Sequence, residues 1–150
     1  MPDRVNIPAE IERLARTAVD AAFSVHTELG PGLLESAYED CFVHELQLRG
    51  LTFTRQVLVP LNYKGVLIST AFRADVIIES KLLIEIKAIE QPLPIHKAQV
   101  ITYLKLLKMP LGLMMNFNEL LIRDGITRVL NFPKSLPKHE KRVDDKEFRL

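Results

Sequence analysis

The stretch RADVIIESKLLIEIKAIE, residues 73 to 90, constrains this chain more than any other. Its apolar residues, Val76, Ile77, Ile78, Leu82, Leu83, Ile84 and Ile86, form two nearly unbroken runs on either side of Glu79, Ser80 and Lys81. A half-solvated strand alternates apolar with polar residues, so unbroken runs mark strands covered on both faces. The segment reads as a hairpin inside a layered domain. Asp75, Glu85 and Lys87 interrupt it, and a charge buried there costs roughly several kcal/mol unless it is paired or binds a metal ion.

The rest of the chain supplies the layers. IPAEIERLARTAVDAAFSVHTELG begins with Pro8, Glu10 and Glu12, all favoured at a helix start. Ile11, Leu14, Ala15, Ala18, Ala22, Val25 and Leu29 then recur at helical spacing until Gly30 and Pro31 stop it. A second helix is predicted from about Leu34 to Arg49, with Ala37, Cys41, Val43 or His44, and Leu48 inward, closed by Gly50. FTRQVLVPLNYKGVLIST reads as two strands around Lys64 and Gly65, and FRADVIIESKLLIEIKAI as two more. Helical spacing returns in LPIHKAQVITYLKLLKM, with Val100, Ile101, Leu104 and Leu107 inward. LGLMMNF reads as a buried strand and ELLIRDGITRVLNF as a closing hairpin around Asp124 and Gly125.

This order predicts an α/β (mixed α+β) domain in which a mixed sheet is flanked by helices. The strands before and after the third helix are expected to be parallel neighbours joined by a right-handed crossover. At 150 residues, with 47% apolar and 26% charged residues, the chain suits one domain with a core of its own. We place that domain at residues 1–132 and a charged, proline-marked, poorly ordered tail at 133–150. The tail carries six Lys or Arg against four acids, which leaves the body near −1 when the whole chain is +1. Such a body has no large basic face for avid nonspecific binding of nucleic acid. Cys41 has no cysteine partner, and the charges at Arg4, Glu10, Glu12, Arg13 and Arg16 interrupt the N-terminal segment. Both features suit a reduced, cytoplasmic protein with no membrane span.

Register sharpens the reading of the charged positions. If residues 79 to 81 make a three-residue loop, residue 78 pairs with 82, and Asp75 falls opposite Glu85 with Lys87 beside them. Two carboxylates so placed repel each other, and a divalent cation converts the repulsion into binding; Mg²⁺ needs only one or two carboxylates besides water and a substrate phosphate. A two-residue loop would reverse the parity and turn Glu85 away. An ordinary charged sheet face, with Arg73 neutralising an acid, is the plainer account of the same residues.

Two helical features bear on the choice. His96, Gln99 and Tyr103 form one polar stripe on the third helix, suited to orienting a phosphate, a base or a lysine, or else a solvent edge. At the start of the second helix, GPGLLESAYED places Glu35 in the first turn and Tyr38 one turn on, as a cap or as part of a site. His26 is expected to satisfy the loop or cap its helix, the alternative being an extra ligand that reaches the site, and Glu28 and Glu39 are expected to be solvated.

With these residues in view, Gly32-Leu-Leu-Glu35-Ser-Ala-Tyr38 resembles the motif of the bacterial GxxExxY proteins, a family within the PD-(D/E)xK nuclease-like superfamily. The resemblance runs in order through VHTELGPGLLESAYE, RADVIIESKLLIEIKAIE, HKAQVITYLKLL, GLMMNFN and IRDGITRVLNF. It implies a restriction-endonuclease-like core. Asp75 resembles the superfamily's first metal-binding acid, although Ala74 stands where the proline of the motif would be. Glu85 and Lys87 resemble its (D/E)xK, Glu35 its helical acid, and Gln99 and Tyr103 the Q-x-x-x-Y of the helicase-associated branch.

The resemblance implies Mg²⁺ or Mn²⁺ held by Glu35, Asp75, Glu85 and the carbonyl of Ile86. Lys87 would act as the catalytic cation, with Tyr38, His96, Gln99 and Tyr103 orienting site or substrate. The reaction implied is phosphodiester hydrolysis of DNA, with RNA the less favoured substrate, by a homodimer or within a larger nucleic-acid-processing complex. Competing readings are a catalytically silent nucleic-acid-binding or regulatory module on the same fold, and a structural homodimerisation domain. The complete set of acids and lysine argues for catalysis.

Overall fold

The computed structural model describes residues 6–131, so the expected tail at 133–150 lies outside the described residues. Helix α1 spans Ala9–Leu29 and α2 spans Glu35–Leu48. They are followed by β1 (Phe53–Tyr63), β2 (Val66–Ile78) and β3 (Leu82–Lys87). The chain ends with α3 (Pro94–Leu107), β4 (Leu111–Asn116), the single turn α4 (Ile122–Gly125) and β5 (Ile126–Leu130). The five strands form one sheet in the order β1-β2-β3-β4-β5. All pairs are antiparallel except β3 and β4, the parallel neighbours that α3 connects.

Helices cover both faces, as the apolar hairpin requires. Ala15, Ala18, Ala21 and Ala22 let α1 approach closely, and with Phe42 and Leu46 of α2 they pack on Val76, Ile78, Ile84, Ile86, Leu113 and Met115. On the opposite face, Val100 and Leu104 of α3 pack on Val59, Ala74, Ile77, Leu83, Met114 and Val129. The result is a mixed α+β core of restriction-endonuclease-like form. Among the described residues no helix is long and apolar enough to cross a membrane.

The structure corrects the sequence expectations in four places. VLIST and FRADVII are one continuous strand, β2, because residues 66 to 68, 72 to 74 and 76 to 78 all pair with the same partner, β1. The register shifts between Val59 and Leu61, around Pro60, whose missing N–H is tolerated on an edge strand. On α2 the buried face is Tyr38, Glu39, Phe42, Val43 and Leu46; Ala37 and Cys41 are half-buried, while His44 and Leu48 are exposed. Glu39, expected in solvent, is therefore inside. The segment around Asp124 and Gly125 is the turn α4 and not a hairpin loop.

Gly125 also serves a different purpose from the one expected. A Cβ there would lie 2.2 Å from the carbonyl oxygen of Asn116 at the end of β4, so α4 can dock only through a glycine. Gly125→Ala is expected to lower the unfolding free energy by roughly 1 to 3 kcal/mol or more, measured by urea denaturation. An unchanged midpoint would show that the chain relaxes there freely.

Candidate active site

The loop between α1 and α2 carries the first acid. Gly30 (φ 65°) and Gly32 (φ 103°) occupy the left-handed region, which glycine enters at no steric cost. Leu34 is extended, and Glu35 begins α2. Tyr38 is fully buried; its hydroxyl donates to the Gly30 carbonyl (2.6 Å) and accepts the Leu33 N–H (3.1 Å). Its ring stacks on Phe117, with centroids 4.8 Å apart. Tyr38 therefore ties down the loop that precedes Glu35 and is bonded to the backbone, not to the acid. His26 accordingly serves the fold, its Nε2 lying 2.8 Å from the carbonyl oxygen of Glu119.

The second and third acids stand where β2 and β3 separate. The register is Val76↔Ile84, Ile77↔Leu83 and Ile78↔Leu82, so the loop is the odd-length one and Asp75 lies across from Glu85. No ladder pair continues past Val76. Instead the Asp75 N–H donates to Glu85 Oε1 (3.1 Å), and the Ile86 N–H donates to Asp75 Oδ2 (2.9 Å). Each carboxylate thus accepts a backbone N–H from the opposite strand.

A change of facing in the β1–β2 hairpin opens this position. Phe53 of β1 and Val76 and Ile78 of β2 pack toward α1 and α2, whereas Val57, Val59, Phe72 and Ala74 pack toward α3. Both strands switch faces at one cross-strand position, Gln56 opposite Asp75, while the residue-to-residue register is kept. Gln56 has φ 48°, and the turn of the chain there leaves Asp75 half-buried between the two apolar layers.

Glu85 is 5% exposed. Burial, and then the neighbouring Asp75 charge, push its carboxyl up to about 8, against the Asp75 N–H and the Lys87 ammonium. Glu35 is raised as well, by partial burial first and then by Asp75, while Lys87 and the Ala88 backbone draw it down. Its side chain is otherwise exposed at the start of α2. On α3, burial followed by the charges of Glu85 and Asp75 raise the Tyr103 hydroxyl, and its ring meets Phe72 edge-on at 4.9 Å. The rest of the stripe divides: His96 Nδ1 accepts the Leu93 N–H (2.9 Å) and caps its own helix, and Gln99 is exposed with no side-chain hydrogen bond among the described residues.

Four residues at the site were not anticipated from sequence. Asn116, 1% exposed at the end of β4, pairs in register with Lys87 and brackets Ile89, taking its N–H (3.1 Å) and donating to its carbonyl (3.0 Å). Its only signal in the sequence is one polar residue closing an apolar strand. Glu39, Arg55 and Gln56 form the other group: Arg55 Nε and Nη2 donate to Glu39 Oε2 (3.0 and 2.8 Å), and Gln56 Nε2 donates to Glu39 Oε1 (2.7 Å). Nothing in their spacing distinguishes them from an ordinary polar strand surface.

The donor set suits a hard divalent cation. Asp75 and Glu85 offer facing carboxylate oxygens, and burial together with the Asp75 charge raises the Glu85 carboxyl, a penalty that a bound cation would relieve. Glu35 does not close a cage around them: among the described residues, no three His, Cys, Asp or Glu side chains gather as closely as a metal ion requires. Two carboxylates are enough for Mg²⁺ when water and phosphate complete the shell.

A family model described as the PD-(D/E)XK nuclease superfamily matches residues 12–129, a span that includes Glu35, Asp75, Glu85, Lys87, Gln99 and Tyr103. The narrower GxxExxY motif lies within that span and is compatible with it. No curated protein and no solved structure gives a significant match.

The raised carboxyl of Glu85 fixes a pH dependence. Between about 4.5 and about 8 the folded chain keeps a proton that the unfolded chain has released, so the contribution of Glu85 to stability falls as pH rises through this window. Metal-free protein is expected to melt at progressively lower temperature across it, and Glu85→Gln to flatten the trend. Parallel pH profiles for the two proteins would contradict the assignment.

Proposed function

We infer the function of this chain from its family, since it belongs to the PD-(D/E)XK nuclease superfamily, and from one observation. Asp75 faces Glu85 across two strands that part at that point, with Lys87 two residues on. A nuclease-type function follows from the family. Our finer reading is metal-dependent hydrolysis of phosphodiester bonds in DNA, with RNA the less favoured substrate, in the cytoplasm and by a homodimer or within a larger complex.

Asp75, Glu85, the Ile86 carbonyl and Glu35 would hold Mg²⁺ or Mn²⁺, which when bound polarises the scissile phosphate and acidifies a coordinated water. Lys87 contributes a fixed ammonium toward which negative charge on the phosphate can grow in the transition state. Tyr103 bounds the same side of the site through α3, and Gln99, exposed one turn before it, is free to meet the substrate backbone. Glu85 carries its proton until about pH 8 in the metal-free chain, so cation affinity should climb with pH up to that value.

One observation favours a second reading, a catalytically silent nucleic-acid-binding or regulatory module: the side chains of the three acids do not converge as a ready metal cage among the described residues. Cleavage of single-stranded, duplex and branched DNA, with and without Mg²⁺ or Mn²⁺, separates the two. Lys87→Ala is expected to lower the turnover by about 10²- to 10³-fold, and Asp75→Ala to abolish metal binding, both with the fold intact by circular dichroism. DNA binding in EDTA without cleavage of any of these substrates on restoring metal would establish the silent module instead.

A further inference from the structure

Gln56 has so far figured only through its backbone turn and its bond to Glu39, yet its placement is unusual. It lies opposite Asp75 in register, between the pairs Arg55↔Val76 and Val57↔Ala74, but makes no ladder pair itself. Its φ of 48° is left-handed, a conformation that costs a residue with a Cβ about 1 to 3 kcal/mol and persists only where the surroundings impose it. The compensation is in its side chain. Gln56 Nε2 donates at 2.7 Å to Glu39 Oε1 and, by a longer bond of 3.4 Å, to Asp75 Oδ1.

Each end of this link is anchored. Glu39 is 7% exposed and its second oxygen is held by Arg55, so the acceptor that fixes the amide is itself immobile. Asp75 Oδ2 is committed to the Ile86 N–H at 2.9 Å. The remaining oxygen, Oδ1, is the one with capacity for a cation, and it is the one that the Gln56 amide faces. An amide has two hydrogens and serves both carboxylates at once, which neither a glutamate nor an apolar residue can do.

We propose that Gln56 is a positioning residue for the proposed nuclease site: anchored on the buried Glu39–Arg55 pair, its amide sets the rotation of the Asp75 carboxylate so that Oδ1 is presented for metal coordination. The idea rests on the nuclease reading for its purpose but not for its geometry. It assigns Glu39 a task as well, since the amide is only as well placed as its anchor.

Glycine adopts φ 48° freely, so Gln56→Gly removes the amide while keeping the backbone turn. We expect Gln56→Gly to retain the melting temperature while hydrogen exchange of the Ile86 amide in metal-free protein accelerates about ten-fold, the worth of one hydrogen bond. Mn²⁺ affinity by calorimetry should fall by about ten-fold or more. Glu39→Met should reproduce both losses, and Glu39→Gln, which keeps one acceptor oxygen but loses the second one that Arg55 holds, should fall between Glu39→Met and the starting protein in both readouts. Unchanged Ile86 exchange and unchanged Mn²⁺ affinity in Gln56→Gly would overturn the proposal. If the unaltered protein binds neither Mg²⁺ nor Mn²⁺, the nuclease reading fails, while Ile86 exchange still decides whether Gln56 positions Asp75.

Discussion

Strands β2 and β3 stop pairing at Val76 and Ile84, and the site is built on that separation. Parting strands strand their N–H groups, and a buried N–H without a partner is costly. Here Asp75 and Glu85 each accept an N–H from the facing strand, which closes the gap without a ladder. The same solution brings two acids together in a poorly solvated cleft. Burial first, and then the charge of Asp75, raise the Glu85 carboxyl, and a cation between the acids would offset both.

Around this pair, two other elements, α2 and β4, are fixed by backbone-directed bonds. Tyr38 holds Gly30 and Leu33, and so places the first turn of α2. The Phe117 N–H donates to the Lys87 carbonyl at 2.8 Å, while Asn116 brackets Ile89, and together they fix the exit of β3. Phe117 also stacks on Tyr38, so the end of β4 and the start of α2 share one contact. The segments that carry Glu35 and Lys87 are thereby both held by backbone hydrogen bonds and tied to each other through this one contact. Preorganisation of this kind does not rely on any flexible side chain finding its own way.

The sheet core and the pairing of Asp75 with Glu85 were legible because both depend on periodicity and parity. An unbroken apolar run announces two covered faces, and an odd-length loop fixes which residues meet. The α2 face was misread because the eye follows aliphatic spacing, whereas Tyr38 and Glu39 are buried through hydrogen bonds that spacing does not encode. The continuity of β2 was missed for a related reason: a strand that changes its facing midway looks like two strands in a one-dimensional pattern. Gly125 was read as a turn residue although its constraint is the Asn116 carbonyl, a neighbour visible only in three dimensions.

Beyond Gln56 and Asp75, β1 and β2 continue without β3 beside them, to a tip at Lys64 and Gly65. Every hydrogen bond that shapes the carboxylates lies on the near side of this extension. Two residues added to each strand, or taken from each, would preserve both register and facing and leave the acids where they are. The hairpin is thus a modular arm, whose length and surface can change without moving the two carboxylates at its base.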